Sequence, residues 1–358
     1  MDLDDYPEWT GAIADLAASA GTAVLLGAPD AGKTTFATLL LNAACAAERR
    51  VAIVDADIGQ SEIGPPTCVG MGFASAPVSR LADVPAARLA FVGATSPRGA
   101  MVEHVTAVRG MTDAARALGP GLVLVDTTGF VRGPAARRLK HAKLSSLAPD
   151  HVVALQRHDE CEAVLAGLRR SERTRVMRLP VAAAVATKPP GLRAARRAGR
   201  IARYFEGADL RTINFEDVAM RGTWLTAFAA VEPQVLRFLS ASLRVHVHHA
   251  ELGDRHLGIV VDRAPDDERL LDAVREQFRA QALTITVAGW LRHLVVGLEG
   301  GDGRLHGIGL LEAMDFRRRQ VGILTPVRAV GAIRLLHFGT LRVQTSGSEV
   351  GTIRPGDV

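Results

Sequence analysis

Short apolar runs separated by stretches of helical periodicity recur along the first half of the chain: Thr22–Leu26, Val51–Asp55, Leu89–Gly93, Leu122–Asp126, His151–Gln156 and Val176–Leu179. Each is hydrophobic at consecutive positions, as strands are when both faces of a sheet are covered. Strands of this kind alternating with helices predict an α/β fold, a mostly parallel, doubly wound sheet with ligands at the C-terminal ends of the strands. After about Ala241 the texture changes to alternation, as in Leu243-Arg244-Val245-His246-Val247-His248, with Gly-rich turns such as Gly300-Gly301-Asp302-Gly303. That predicts a smaller, β-rich, half-solvated second domain, a barrel being one form of it. The change is placed near Pro233–Ala241, giving domains of about 1–238 and 239–358.

Composition adds exclusions. A chain of 358 residues suits two domains, and 48% hydrophobic with 23% charged residues excludes a disordered or fibrous protein. The acidic start Met1-Asp2-Leu3-Asp4-Asp5 is unlike a signal peptide, and no run reaches the roughly 18 apolar residues of a membrane span. Cys45, Cys68 and Cys161 are too few for a disulfide framework or a four-thiolate zinc site. A cytoplasmic protein without a membrane partner is expected. The net charge of +5 conceals an asymmetry: between Arg169 and Arg203 ten arginines and Lys188 face only Glu172, a local +10 that reads as one basic patch.

Gly27-Ala28-Pro29-Asp30-Ala31-Gly32-Lys33-Thr34 fits G-x-x-x-x-G-K-[ST] between an apolar run and a helical stretch. Backbone N–H groups of such a loop curl around phosphate oxygens, the lysine reaches the β/γ-phosphates and the hydroxyl can hold Mg²⁺. Gly27, Asp30, Ala31, Gly32, Lys33, Thr34 and Thr35 form the expected nucleotide site. The second strand ends Val54-Asp55-Ala56-Asp57-Ile58-Gly59-Gln60. One carboxylate there suits a metal, and a second can take a proton from an attacking hydroxyl. Asp126-Thr127-Thr128-Gly129 also resembles a GTPase switch. The guanine-reading Asn/Thr-Lys-x-Asp segment has no counterpart, because Thr187-Lys188-Pro189-Pro190 carries proline where the carboxylate belongs.

Taken in order, the P-loop with Asp30, Asp55-Ala56-Asp57-Ile58-Gly59-Gln60-Ser61 followed by Pro65-Pro66, Phe91-Val92-Gly93-Ala94-Thr95-Ser96-Pro97, Asp126 through Gly133, Val152 through Arg157, and Arg193-x-x-x-Arg197-x-x-Arg200 leading into Tyr204-Phe205 form a series. Over residues 20 to 210 the chain resembles the polynucleotide 5′-hydroxyl kinase family, which includes the pre-mRNA cleavage-complex kinase, the pre-ribosomal-RNA processing kinases and shorter archaeal and bacterial relatives. The resemblance implies ATP, GTP or another NTP as donor, a divalent cation such as Mg²⁺, and an RNA or DNA acceptor with a 5′-hydroxyl end. It implies that Lys33 and Thr34 hold phosphates and metal, with Asp55 and Thr95 in the metal set, that Thr95 sits beside the metal or the acceptor and is catalytic together with Lys33, and that Asp57 is the general base. Gln60, Thr127, Gly129 and Phe130 would then meet the acceptor, with Phe130 stacking on its terminal base. Arg193, Arg197, Arg200 and Lys188 would lie in a mobile lid at about 188–205, with Arg193 and Arg197 catalytic.

The chain departs from the family pattern in three ways. Phe130 stands where many relatives have tryptophan, Lys188 where they often have arginine, and only 26 residues precede the P-loop, so the domain that covers the base in larger eukaryotic members is expected to be missing and NTP selectivity loose. Outside the series, His246, His248, His249 and His256 read as a solvated strand face rather than metal ligands. Arg317-Arg318-Arg319 reads as a surface feature, and Trp224 and Trp290 as packing residues. The alternative functions are a decayed nucleotide-binding scaffold in RNA processing and a P-loop ATPase or GTPase switch.

Overall fold

In the computed structural model, which describes residues 2–187, 189–354 and 356–358, the chain falls into two compact units, Met1–Arg197 and Ala198–Val358. The first carries strands β1 (Gly21–Gly27), β2 (Val51–Ala56), β3 (Cys68–Ala74), β4 (Ala86–Phe91), β5 (Leu122–Thr127), β6 (His151–Gln156) and β7 (Arg175–Pro180). They form one sheet in the order β4-β3-β2-β5-β1-β6-β7. The β2–β5, β5–β1, β1–β6 and β6–β7 pairs are parallel, and β3 alone runs against its two neighbours. Helices are α1 (Thr10–Ala18), α2 (Lys33–Ala46), α3 (Met101–Ala117), α4 (Pro134–Leu147), α5 (Glu162–Leu165) and α6 (Pro190–Tyr204).

Both sheet faces are covered, which is why the strands read as uninterrupted apolar runs. Ala23 and Leu25 of β1 pack with Trp9 ahead of α1 and with Phe36 and Leu40 of α2. The intervening Val24 and Leu26 pack with Val54, Val125 and, from α4, Leu147. All six expected strands are present. The one that sequence pattern missed, β3, hides its signal behind Gly70 and Gly72. Gly70 is required by packing, since a Cβ there would lie 2.0 Å from the Ile63 carbonyl oxygen.

The division of the chain at Arg197 falls well before the expected Pro233–Ala241. Strand Asp209–Asn214, too polar to stand out as a strand, pairs antiparallel with Gln320–Thr325 and draws the segment after α6 into the second unit. That unit holds two sheets. In the larger, strands Glu349–Thr352, Ile333–Val343, Leu294–Gly300, Leu305–Asp315, Gln320–Thr325 and Asp209–Asn214 follow one another, with Ala219–Arg221 beside Ile333–Val343. In the smaller, Ala229–Ala230, Val247–Leu252, His256–Val261 and Ala282–Val287 are neighbours. The last two of these are parallel and are joined through helix Glu268–Gln277, a crossover that the alternation did not announce. Among the described residues the strand pairing gives two open sheets and not a closed barrel.

The segment 243–248 alternates in burial as expected, with His246 and His248 exposed, but it starts as the end of helix Pro233–Leu243, where Arg244 adopts φ 54° before the strand begins at Val247. His249 lies 2.9 Å from Glu251 and stacks on Phe316, while His256 stacks on Phe228. Trp224 is a buried packing residue, its indole N–H donating to Thr286, whereas Trp290 is exposed. Arg318 and Arg319 pair with Asp315 and Glu216 at the surface. No helix among the described residues is long and apolar enough to cross a membrane.

Glycines of contrasting surroundings test the packing account. Gly70→Ala should lower the unfolding free energy by about 2 kcal/mol or more through overpacking. Gly110→Ala on the exposed side of α3, where a Cβ meets nothing within 4 Å, should raise it by about 0.5–1 kcal/mol. Denaturant unfolding of both variants provides the measurement, and equal effects would refute the assigned contacts.

Candidate active site

The turn from β1 into α2 is the P-loop. Gly32 caps α2 without a side-chain hydrogen bond, so the first amides of the helix, those of Lys33, Thr34 and Thr35, point at the loop's concavity. Buried Lys33 donates to the carbonyls of Gly27 and Ala28 at 3.0 and 2.9 Å. Ala31 is buried, and Asp30 stands at φ 57° with its carbonyl accepting from Arg157 at 2.9 Å. Gly129, from the turn after β5, belongs to this wall: a Cβ on it would lie 2.6 Å from Pro29 N.

The parallel register pairs Asp55 of β2 with Asp126 of β5, and both side chains are 2% exposed. Their surroundings differ. Asp126 Oδ2 accepts from Thr34 Oγ1 at 2.7 Å, and Oδ1 is buried with no hydrogen-bond partner. Burial pushes its carboxyl up to about 6, against the pull of Lys33 and the Thr34 bond. A hard divalent cation takes oxygen ligands, and the orphaned Oδ1 beside a threonine hydroxyl at the P-loop fits one. Asp55 is instead enclosed by its own loop: Oδ1 accepts from Asp57 N at 3.0 Å, and Oδ2 from Ile63 N at 3.0 Å and from Glu62 N. Burial, then Asp126, push Asp55 up to about 8 while the Ile63 and Asp57 amides pull it down. The geometry therefore brings Asp126, absent from the expected metal set, to Thr34, and uses Asp55 to fold the loop after β2.

Asp57 follows β2 and is half-buried. Its Oδ1 accepts from Gly59 N and Gln60 N at 3.2 and 3.1 Å, which fixes the carboxylate on its own turn. Thr95 lies beside that turn, since a Cβ on Gly59 would be 2.6 Å from the Thr95 carbonyl oxygen. Gln60 donates to the Arg193 carbonyl at 3.1 Å, so the turn after β2 is tied to α6.

Two lysines that sequence pattern did not single out lie fully buried on the inner side of α4. Lys140 donates to Thr127 Oγ1 and Thr128 O, both at 2.7 Å, and Thr127 in turn donates to Leu25 O at 2.6 Å. Thr127 is thereby committed to the β5 end and not presented to a ligand. Lys143 Nζ lies 3.1 Å from His104 Nε2, which lies 2.8 Å from Ala56 O. Burial holds His104 well below the usual imidazole range and brings Lys143 down to about 7. A hydrogen on Nε2 serves the Ala56 carbonyl, with the Lys143 amine alongside the same nitrogen, so the pair packs against the peptide between Asp55 and Asp57. The i, i+3 spacing on one helix was the only signal.

Phe130 is half-buried next to Gly129, with the Arg98 guanidinium 5.0 Å from its ring centroid. On α6, Arg193, Arg197, Arg200 and Tyr204 are half-buried and Ile201 is buried, while Arg196, Gly199 and Arg203 are exposed, as one helical face requires. Arg193 reaches the P-loop through Asp30 at 2.9 Å. Lys188 lies outside the described residues. The single basic patch inferred from the run of arginines is divided: Arg169, Arg170 and Arg173 precede β7 at the N-terminal end of the sheet, away from the strand ends that carry the site, Arg175 and Arg178 lie on β7, and Arg193, Arg196, Arg197, Arg200 and Arg203 follow on α6. A six-residue strand separates charges that looked contiguous.

A P-loop at the end of β1, a threonine hydroxyl bonded to a buried aspartate and a further carboxylate at a nearby strand end define a nucleotide-using phosphotransferase fold. The family model described as mRNA cleavage and polyadenylation factor CLP1 P-loop matches residues 27–207, and the chain belongs to that family. The polyribonucleotide 5′-hydroxyl-kinase of Thermococcus kodakarensis is 30% identical over 336 residues, covering 93% of this chain and 91% of that protein. Those of Pyrococcus horikoshii and Methanocaldococcus jannaschii are each 29% identical, covering 88% and 89% of their own lengths and 93% and 92% of this chain. The structure of wild-type Clp1p in complex with Pcf11p shares the fold, with a TM-score of 0.57 at 12% identity over 94% of this chain and 77% of that one.

Asp55→Asn should lower the unfolding free energy by about 1–3 kcal/mol, the cost of disturbing a buried acceptor; unchanged stability with a lost response to Mg²⁺ would make Asp55 a metal ligand instead. Lys143 gives a pH signature. Its folded value, near 7, lies below the ordinary 10.5, so between these the unfolded chain binds the proton more readily and stability rises with pH. From pH 8 to 10, Lys143→Met should flatten that rise in urea unfolding, and an unchanged slope would show Lys143 to be charged in the fold.

Proposed function

We propose that this chain is a cytoplasmic polynucleotide 5′-hydroxyl kinase that moves the γ-phosphoryl of ATP, GTP or another NTP to the 5′-hydroxyl of an RNA or DNA strand. The observation that carries the reading is the division of labour between neighbouring strand ends. Asp126 is tied to Thr34, whereas among the described residues the Asp57 carboxylate accepts from amides of its own turn through Oδ1 and stays half-exposed. An acid outside the metal pair, at the mouth of a P-loop, is what transfer to an alcohol needs and simple nucleotide binding does not. Relatives named for this activity match nearly the whole chain.

In this reading the loop amides and Lys33 hold the donor's phosphates, and Thr34 with Asp126 holds Mg²⁺, with Thr95 close by. When bound, the cation neutralises charge on the β- and γ-phosphates. The acceptor's 5′ oxygen forms the new bond to Pγ as the bond to the bridging oxygen breaks. The electron pair leaves with the nucleoside diphosphate, and the hydroxyl proton passes to Asp57. Arg193 and Arg197 stabilise the charge on the equatorial oxygens, with Arg193 already held at the loop by Asp30. Gln60, Gly129, Phe130 and Arg200 line the acceptor's approach.

Purified protein incubated with γ-labelled ATP, Mg²⁺ and 5′-hydroxyl oligonucleotides of RNA and DNA should yield end-labelled strands. Hydrolysis without strand labelling would favour a nucleotide-driven switch, and neither activity a scaffold. Asp57→Asn should lower kcat by at least about 10²-fold with ATP affinity retained, and Arg193→Ala should lower kcat far more than it weakens ATP binding. Near-normal turnover of Asp57→Asn would remove it as the base.

A further inference from the structure

We propose that Arg98, Arg132 and Arg137 form a track for the internucleotide phosphates of a single-stranded acceptor as it runs away from Phe130. This deepens the kinase reading and rests on it. The loop from β5 to α4 puts the pieces together. Gly129 abuts Pro29, so Phe130 is set at the rim of the P-loop. Arg132 follows two residues later and is exposed, the chain turns at Gly133 with φ 87°, and exposed Arg137 lies in the opening turns of α4. Arg98, from the segment after β4, sets its guanidinium 5.0 Å from the Phe130 ring centroid and is exposed too.

These arginines combine a place beside the Phe130 ring with the absence of an ion pair among the described residues, an absence they share with Arg138, Arg169, Arg170 and Arg173. Among the described residues Arg80, Arg109, Arg175 and Arg178 pair with Asp83, Asp113, Asp15 and Glu162. Among the described residues no ion pair involves Arg98, Arg132 or Arg137. Glu160 feels the field of Arg132, but its oxygens accept from the amides of Arg157 and His158. Unneutralised guanidiniums beside a half-exposed ring are the combination that binds single strands: the ring takes a base face and the cations take the backbone. The Arg98 guanidinium, now resting on the ring, is placed to move to a phosphate when a base takes the ring face. The arginines at 169, 170 and 173, although denser in sequence, sit at the opposite end of the sheet and have no part in the track.

The test compares a 5′-hydroxyl dinucleotide with a 5′-hydroxyl decamer as acceptors. In the Arg132→Ala/Arg137→Ala double variant the decamer-to-dinucleotide ratio of KM should rise about 10-fold, with kcat on the decamer held within about twofold. The slope of log KM against log salt for the decamer should become shallower by about 1.4, two phosphates at about 0.7 each. Arg98→Ala should move the same ratio in the same direction, and Arg169→Ala/Arg170→Ala, removing equal charge at the far end, should leave it unmoved. An unchanged ratio in the double variant, or an equal shift in the far-end control, overturns the track. Fluorescence anisotropy with the same decamer separates this from the kinase reading. If the wild type labels no strand, the kinase reading fails, while weaker and less salt-dependent binding by the double variant still supports the track and unaltered binding rejects it.

Discussion

The constraint on which the site depends is the register that sets Asp55 directly beside Asp126 at the ends of two buried parallel strands. Two carboxylates in that position repel each other and lose their hydration, a cost the fold must offset locally. It does so asymmetrically. Asp55 is enclosed by the amides of the loop it organises, and Asp126 is held by the Thr34 hydroxyl with Lys33 nearby. The first arrangement shapes the turn that presents Asp57; the second leaves one buried oxygen of Asp126 without a protein partner. A single electrostatic conflict, resolved differently on its two sides, thus separates a carboxylate that builds structure from one suited to a cation.

The inner lysines of α4 extend the same logic. Lys140 braces the end of β5 and Lys143, through His104, the end of β2. The two strand ends that bear the acids are therefore held from beneath by one helix, while Gln60 and Asp30 hold α6 above them. Buried charged amines are costly; burial brings Lys143 down to about 7, while Lys140 donates to Thr127 and Thr128.

Much of this was legible in the chain. Six strands were visible because double burial makes them continuous in hydrophobicity, and the P-loop because its glycines and lysine are needed by phosphate geometry. β3 was not, because the close approach of Ile63 demands Gly70 and removes the side chain that would have marked the strand. Asp126 was quoted in the motif series without a metal role, which was expected of Asp55: both are acids at strand ends, and the hydrogen bonds that distinguish their surroundings are not written in the sequence. Lys140 and Lys143 look like solvated helix positions until the partner strands are known.

Charge was the feature that sequence represented least well. A run of ten arginines reads as one surface only if the backbone keeps it together, and β7 carries the chain from one end of the sheet to the other in its midst. Linear density thus overstates the field at the phosphate site from 169–175 and understates the part played by Arg98, Arg132 and Arg137, scattered in sequence but collected by the turns after β4 and β5. In a parallel sheet every strand exit lies at the same end, so cations isolated in sequence converge there whenever each follows a different strand. The binding surface of such a fold is better sought by taking the few residues after each strand than by scanning for blocks of like charge.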